Sequence, residues 1–388
     1  MTFKGYRRPD GRVGVRNHVS VVSGVLCGDV VGKKIVEKSK GDVVYIYNPN
    51  GCGQNQKDTE TTVEIISGLV ANGNVYGALI VGLGCEMIQK DRYLNAIKAK
   101  TNKPVYYINI QETGGVNRTV EAGLKIVEQL VEEASKCERV DCDLSELALG
   151  LECGGSDPTS GFSSNTVLGK VTDTIIDAGG SAYMSETAEC IGAEHIMRER
   201  GRTPEIGEQL YNAVVNWEKA RYEESGENVR TANPSPGNKE GGLTTLSEKS
   251  LGCIHKSGSR PFDGCYEYGK MINEKGLFFI DATAYDVVNT VALVAAGAQV
   301  VAFTTGRGNP IGNPVAPVVK ITGNHDAAVW LEDFIDIDTS ASITGQKTFE
   351  QLGQEMLEFI IDVCNGKETK AEINGACEVG INQNYSYS

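Results

Sequence analysis

Three cysteines with glycine neighbours are the residues whose type and spacing could carry chemistry. Cys52 stands in the segment NPNGCGQ, Cys85 in GLGCE and Cys153 in LECGGSD, and each follows a short apolar run of strand character. Ligands of open α/β sheets bind beyond the carboxyl ends of the strands, and thiolates are soft ligands for iron, zinc or iron–sulfur clusters. We therefore expect these three cysteines to share a metal site. The alternative is that each is a small buried hydrophobic residue.

The other cysteines lack this setting. Cys27 and Cys190 stand near predicted strand ends and remain outside candidates for the metal site. We expect the remainder to be packing, boundary or surface residues: Cys137, Cys142, Cys253, Cys265, Cys364 and Cys377. Because the total of 11 is odd and the spacing is irregular, reduced thiols in a cytoplasm are favoured over disulfides.

Only four histidines are present to serve as a base or a metal ligand. His195 follows the acidic segment SETAECIGAE and opens a predicted helix. A neighbouring carboxylate can orient an imidazole and raise its basicity, so His195 is the preferred catalytic residue. His18, at the start of a predicted strand, is the second choice. For His195, a structural, hydrogen-bonded histidine is the alternative.

Two polar, glycine-rich segments could hold an anionic substrate. NPSPGNK continues into GGLTT and offers hydroxyls, backbone N–H groups and the catalytic candidate Lys239. TTGRGNP follows a predicted strand, and its Arg307 could bind a carboxylate through two parallel hydrogen bonds. The predicted substrate-binding residues are Arg307, Arg16, Ser156, Asn238, Thr244 and Thr245. Neither segment is a phosphate loop, and no GxGxxG opens a helix after the first strand, so nucleotide binding is not expected.

The elements that must position these residues alternate between strand and helix. Apolar runs predict strands at 19–25, 43–47, 78–83 and 105–110, with helical spacing between them. Such alternation predicts a parallel, doubly wound sheet. After a charged stretch a second series has strands at 147–152, 181–185, 277–281 and 300–304. We therefore predict two α/β domains, 1–140 and 141–388, with mostly parallel sheets and the active site between them.

Composition limits the classes of partner. The net charge of −14 argues against nucleic acid, because phosphate binding needs clustered lysine and arginine. An anionic substrate would have to be held by local donors or by a metal. No run approaches the roughly 20 apolar residues of a membrane span, and residues 1–10 lack the apolar core of a signal peptide. A cytoplasmic enzyme with no membrane partner is the expectation.

Together these segments carry a family resemblance. The motifs are GYRRPDGRVGVRNH (5–18), GLGCE (82–86), LECGGSD (151–157), GAEH (192–195), NPSPGNK (233–239), GGLTT (241–245) and TTGRG (304–308). Over about residues 5–371 the chain resembles the altronate/galactarate dehydratase family. The resemblance implies a lyase that eliminates water from a sugar acid to leave a 2-keto-3-deoxy acid. It implies ferrous iron as the usual metal. In our own prediction Cys52, Cys85 and Cys153 hold the iron, either as a single Fe²⁺ ion or as a [4Fe–4S] cluster.

The resemblance also bears on partners. Longer members carry a small β-rich domain before the motif that starts here at Gly5, so we expect this chain to be the large subunit of a split enzyme, completed by a separate small subunit. A homo-oligomer is expected as well. Departures from the family pattern, near Asn48 and over residues 333–343, leave the hydroxy acid open.

Three alternatives remain. The large subunit of sulfolactate sulfo-lyase has the same split architecture and expels sulfite, but such relatives lack cysteines matching Cys52 and Cys85, which favours loss of water here. A non-catalytic binding protein on the same fold would predict degraded motifs, whereas the long motifs are intact. A dehydrogenase of the dinucleotide-binding type lacks its glycine fingerprint.

Overall fold

The computed structural model of this chain describes residues 1–383, so residues 384–388 of the predicted second domain lie outside the described part. The strands are β1 (Thr2–Arg7), β2 (Val13–Gly14), β3 (His18–Ser23), β4 (Val43–Ile46), β5 (Val75–Gly82), β6 (Val105–Asn109), β7 (Val140–Asp143), β8 (Ala148–Cys153), β9 (Ser181–Met184), β10 (Gly264–Glu267), β11 (Gly276–Asp281), β12 (Val300–Thr304), β13 (Val318–Thr322) and β14 (Ile337–Asp338).

The helices are α1 (Asp29–Lys38), α2 (Gln56–Ala71), α3 (Lys90–Lys98), α4 (Ile110–Thr113), α5 (Val116–Ala134), α6 (Asn165–Asp177), α7 (Glu194–Glu199), α8 (Pro204–Ser225), α9 (Val229–Ala232), α10 (Pro236–Glu240), α11 (Leu246–Cys253), α12 (Asp286–Ala296), α13 (His325–Trp330), α14 (Phe349–Cys364) and α15 (Lys370–Ile373). Within residues 1–383, none of them is long and apolar enough to cross a membrane.

The first parallel sheet has the strand order β4-β3-β5-β6. Its central strands are apolar on both faces. Leu79 and Val81 of β5 pack with α1 and α5, while Ala78 and Ile80 pack with α2 and α3 on the other side. Since both faces are covered by helices, this sheet is doubly wound, as the alternating pattern predicted.

The second sheet has seven parallel strands in the order β10-β11-β9-β8-β12-β13-β14. Strands β8, β9 and β12 at its centre are fully buried. The predicted α/β class with parallel sheets is confirmed. The edge strands β10 and β14 were not predicted, and neither was β13, which lies beside β14.

A small antiparallel sheet, β2-β1-β7, was also not predicted. In it, Thr2 pairs with Asp143 and Gly5 with Val140, so the start of the chain crosses to the segment between the two parallel sheets.

The two parallel sheets share one apolar core through helices α2 and α12. Gly68 of α2 lies so close to α12 that a Cβ there would stand 2.5 Å from the carbonyl oxygen of Ala295. The tail after α15 crosses the same region, where the Gly312 amide donates to Glu378 at 2.9 Å and Gly380 contacts Val288 at the start of α12. The two halves are thus packed together over an extended surface.

Candidate active site

A buried cluster of sulfur and charged groups lies at the carboxyl end of β8, the central strand of the large sheet. The Lys256 ammonium donates to the sulfur atoms of Cys153 and Cys253, both at 3.1 Å, and also contacts Glu186. The two sulfur atoms are 3.5 Å apart. The Lys256 and Glu186 side chains are fully buried, so the cluster is an ion pair flanked by two thiols in the protein interior.

Glu186 is held in a strained conformation. It follows β9 with φ 73°, and among residues 1–383 it is the one non-glycine residue with positive φ. Such a conformation costs about 1–3 kcal/mol and tends to occur at functional sites. The Cys153 amide donates to the Glu186 carboxylate at 3.2 Å. The strain therefore places a carboxylate where it meets the end of β8.

Helix α11 and the turn after it supply the other side of the cluster. Lys249, Cys253 and Lys256 are spaced four and three residues apart, which places them on one face of a helix. Lys249 pairs with Glu189 at 2.5 Å, and both side chains are buried. Cys253 is buried in the core, as expected of a packing residue, but it also contacts Cys153 and Lys256, which the sequence did not indicate.

A second group of ionisable residues surrounds the cluster. Burial raises the pKa of Asp286, the first residue of α12, to about 6, and the nearby Glu189 carboxylate adds to the shift. Burial lowers the pKa of Lys320 to about 7. Lys320 Nζ lies 3.7 Å from the centre of the Phe303 ring and has no hydrogen-bond partner among the described residues. Both groups can therefore exchange protons near neutral pH.

A cleft leads from the cluster to solvent. Cys153, Cys253 and Lys249 line its base, and Ser156 and Asp157 line its wall. Within residues 1–383 the Ser156 hydroxyl is buried without a hydrogen-bond partner. The cleft therefore offers a ligand one hydroxyl that the fold leaves without a partner, beside the Lys249 ammonium that pairs with Glu189.

Several predicted substrate-binding residues meet beside this cleft. The Asn238 amide donates to the Ser156 carbonyl at 2.8 Å, and its oxygen accepts from Lys249 at 3.3 Å. The Arg307 amide donates to Gly155 at 2.8 Å, and the Arg307 side chain donates to Gly237 at 2.5 Å. The segments NPSPGNK and TTGRG thus join the loop after β8, although they are separated in sequence.

Other predicted residues have structural partners. Lys239 is exposed, with its ammonium 3.4 Å from the Thr231 carbonyl. The Thr244 hydroxyl donates to Glu248 at 2.5 Å, and the Thr245 hydroxyl accepts from the Glu248 amide at 3.2 Å. The two threonines therefore form the N-terminal cap of α11, which positions Lys249 and Cys253.

Arg16 does not match its predicted role as a substrate ligand. It is buried, and all five of its N–H groups are engaged, with the Glu372 carboxylate and with the carbonyls of Val15, Val363 and Lys367. No donor is left for a substrate. Arg16 instead ties the N-terminal segment to the helices near the C-terminus.

The two histidines lie apart from the buried cluster. His195 is exposed on α7, although the preceding Gly192 packs against Ser247 of α11. His18 begins β3, so it lies at the amino edge of the first sheet, where its ring is 2.6 Å from Asp42. Because ligands of parallel sheets bind at the carboxyl edge, the position of His18 does not favour a catalytic role.

The predicted metal ligands fall into two places. Cys153 is buried with Cys253, whereas Cys52 and Cys85 are exposed in the loops after β4 and β5 of the other sheet. Among the described residues, the group close enough to share a metal ion is Cys153, Glu186, Glu189 and Cys253, whose ligand atoms lie within 4.8 Å of one another. Cys52 and Cys85 do not belong to it.

The buried group could hold a metal by its ligand types, but its charges are already balanced. The Lys256 ammonium contacts both sulfur atoms and Glu186, and Lys249 neutralises Glu189. The hydrogen bond to Cys253, together with burial, raises the pKa of Cys153 well above its usual value, whereas a metal ligand must be a thiolate. Two ammonium groups already lie against these sulfur and carboxylate atoms, so a metal ion would have to displace them.

A strained buried carboxylate, paired buried lysines and a cleft at the carboxyl end of a parallel sheet define an α/β enzyme site of the acid–base type. Comparison with known proteins gives the family. Residues 144–387 match the model described as D-galactarate/altronate dehydratase, C-terminal, and residues 5–135 match D-galactarate dehydratase/altronate hydrolase, second domain. The chain belongs to this dehydratase family, and the predicted resemblance is confirmed.

Individual relatives match over nearly the whole chain. Altronate dehydratase of Bacillus subtilis (strain 168) is 34% identical over 98% of this chain and 77% of the relative. Altronate dehydratase of Escherichia coli (strain K12) is 34% identical over 97% of this chain and 76% of the relative. The (2R)-sulfolactate sulfo-lyase subunit beta of Chromohalobacter salexigens is 31% identical over 99% of this chain and 98% of the relative.

Proposed function

We propose that this chain is a hydro-lyase that eliminates water from a sugar acid of the altronate or galactarate class, leaving a 2-keto-3-deoxy acid. Two dehydratases of such acids are 34% identical to it over nearly its full length. The observation that carries the proposal is the cluster of buried acids and lysines that opens into a cleft at the carboxyl end of the large sheet.

The substrate would be held by the donors around the cleft. Arg307 at the rim suits a carboxylate, and the Ser156 hydroxyl and Asn238 suit the hydroxyl groups of a sugar acid. Lys249 lies at the base of the cleft, where its ammonium would stabilise the negative charge that develops when the α-proton is removed.

Asp286 is our candidate for the base that removes this proton. Its pKa of about 6 keeps it ionised at neutral pH yet able to accept a proton. It lies against Gly154, in the same loop that carries Cys153 and Asp157 into the cleft. His195, the base favoured by sequence, is exposed on the neighbouring helix α7 and is the competing candidate.

Product analysis with the purified chain, alone and co-expressed with its proposed small partner, tests the reaction. Altronate, galactarate and sulfolactate would be supplied separately, with 2-keto-3-deoxy acid and sulfite measured after each. We expect keto acid from a sugar acid and no sulfite. Asp286→Asn and His195→Asn are matched variants, and we expect only the first to lose most of the turnover. If no sugar acid of either class is dehydrated, the proposal is wrong.

Sulfite elimination is the second candidate. It is supported by the sulfo-lyase subunit, which matches this chain over 98% of the relative's own length. Release of sulfite from sulfolactate in the same assay would show that sulfite elimination is the reaction. A purely binding protein is disfavoured, because the strained Glu186 and two buried ion pairs cost stability, and such features are concentrated at active sites.

We also propose iron as the cofactor and a small β-rich polypeptide as a partner. The proposed partner is supported by a relative that matches 99% of this chain and that is named as a subunit beta. Co-expression with the small reading frames beside its gene, followed by co-purification and mass measurement, tests for the partner and for a homo-oligomer. Absence of a stable complex with higher activity would contradict the split enzyme.

A further inference from the structure

Three exposed thiols follow three neighbouring strands of the first sheet. Cys27 lies just after β3, Cys52 after β4 and Cys85 after β5, and all three are exposed. The strands are adjacent and parallel in the order β4-β3-β5. Because the carboxyl ends of parallel strands meet at one edge, the three thiols are delivered to the same edge of the sheet.

The loops that carry these thiols are bonded to one another. The Leu26 amide donates to the Asn50 carbonyl at 3.0 Å, and the Ile88 amide donates to the Gly51 carbonyl at 3.4 Å. A Cβ on Gly51 would stand 2.6 Å from the Gly24 carbonyl oxygen, so only glycine allows this approach. The three loops therefore form one packed surface, which we call the thiol edge.

Buried polar side chains hold the thiol edge in place. Asn48 accepts from the Asn50 amide at 2.9 Å, and Gln54 accepts from the Gly51 amide at 3.1 Å, which fixes the turn before Cys52. Glu86 accepts from the Leu83 amide at 3.1 Å and from the Gly84 amide at 2.5 Å, which fixes the turn before Cys85. All three of these side chains are buried. Exposed loops rarely have such internal support, whereas metal sites need it to orient their ligands.

Exposed apolar side chains stand close to two of these thiols along the chain. Leu26 precedes Cys27, Val30 is three residues after it, and Met87 is two residues after Cys85. They are 48%, 48% and 50% exposed. Apolar side chains next to a metal centre limit the access of solvent to it.

We propose that Cys27, Cys52 and Cys85 bind an iron–sulfur cluster as three thiolates. The three sulfur atoms do not all lie within 4.8 Å of one another in the described part of the chain. A single tetrahedral ion with metal–sulfur bonds of about 2.3 Å would draw them closer than this, whereas a cluster places several iron atoms between its cysteines. Binding releases the three thiol protons.

In this proposal Cys153 is not an iron ligand. At Cys153 the Lys256 ammonium already occupies the space between the sulfur atoms, while at the thiol edge no described residue places a cation against the sulfur atoms. Three cysteine ligands would leave one iron of a four-iron cluster without a protein ligand. The inference concerns cluster binding and does not depend on which acid the enzyme dehydrates.

The test uses the full chain purified without oxygen and reconstituted with ferrous iron and sulfide. Iron, acid-labile sulfide and visible absorption are measured in the wild type and in Cys27→Ser, Cys52→Ser and Cys85→Ser. Cys153→Ser and Cys137→Ser are the controls, since Cys137 lies beyond the other end of the first domain. Far-ultraviolet circular dichroism checks that each variant is folded.

We expect about four iron and four sulfide per wild-type chain, as a cluster of this type requires. Each of the three thiol-edge variants should lose at least tenfold in bound iron, and both controls should keep it. Three results would each overturn the inference. They are iron bound without sulfide, no bound iron after reconstitution, and loss of iron only in Cys153→Ser. A chain that carries the cluster but dehydrates no acid would leave this inference intact and refute the proposed function.

Discussion

Asp286 combines a position beside the cleft with a pKa close to neutrality. Because burial raises this pKa to about 6, the carboxylate becomes protonated as the pH falls, and a protonated carboxyl cannot accept the α-proton. We therefore expect kcat/KM to fall below about pH 6. Asp286→Asn should remove this dependence and lower kcat by about 10²–10⁴. The measurement is a pH–rate profile of both proteins.

The same substitution should raise stability. The pKa of Asp286 is higher in the folded chain than its ordinary 3.8, so the ionised form is disfavoured by folding. Asp286→Asn should therefore gain up to about 2 kcal/mol above pH 6, and the gain should vanish as the pH approaches 4. The exposed Asp326→Asn is the control. Unchanged melting and turnover in Asp286→Asn would remove Asp286 from the mechanism.

Lys256 is expected to be the main electrostatic support of the buried cluster. Lys256→Met leaves Glu186 in the protein interior without its partner, which should cost about 3–5 kcal/mol. Burial already raises the pKa of Glu186 in the folded chain, and removal of the ammonium should raise it further, so Glu186 holds a proton in the folded variant. The loss should therefore be smallest below about pH 4.5, should grow as the pH rises, and should level off above the folded pKa of the variant.

The double variant Lys256→Met/Glu186→Gln provides the matched control. Without a carboxylate to bury, it should recover most of the lost stability and should show little dependence on pH. Urea unfolding at pH 5 and pH 8 measures both effects. Equal losses in the single and double variants would show that packing around Lys256, and not its charge, supports the cluster.

At the scale of single residues, the sequence indicated only the part of the site that stands at strand ends. Cys153 and Ser156 follow a buried strand directly, and Arg307 follows another, so their positions could be predicted. Cys253 and Lys256 come about 100 residues after Cys153 in the chain. Only the packing of α11 against the end of β8 brings them to it, and a pattern along the sequence cannot show such a contact.

At the scale of elements, predictions held where both faces of a strand are buried. The apolar runs of β3, β5, β8 and β12 mark them clearly. Strand β13 was missed because Lys320 interrupts its apolar run, although that lysine is buried. The pairing of β1 with β7 was missed because it joins segments about 135 residues apart, and local pattern says nothing about such pairing.

The contact between α2 and α12 should be sensitive to one methyl group. Gly68→Ala would place its Cβ 2.5 Å from a backbone carbonyl of Ala295, which cannot move aside as a side chain can. We expect a loss of about 1–3 kcal/mol. Gly237→Ala is the control, because it lies in helix α10 with open space around it and should be neutral or slightly stabilising. Equal melting temperatures would show that the helices separate easily.

For the whole molecule, the shared core predicts that the two α/β units unfold together. Residues of α2, β5, α12 and β12 belong to one apolar cluster, so neither unit keeps its core when the other is lost. Small units joined in this way are expected to unfold in one cooperative transition. Both tryptophans, Trp217 and Trp330, lie in the second unit. Their fluorescence therefore reports on that unit alone, whereas far-ultraviolet circular dichroism reports on both.

Urea unfolding followed by these two signals should give coincident curves with one midpoint. Trp330→Phe removes the exposed tryptophan and leaves Trp217, which packs against the core of the second unit, so it should give the same midpoint. Gly68→Ala should move both curves together, because it weakens the contact on which both units depend. Two separated transitions would mean that the units are stable alone. The thiol edge in the first unit and the acid–base cluster in the second could then be studied as independent fragments.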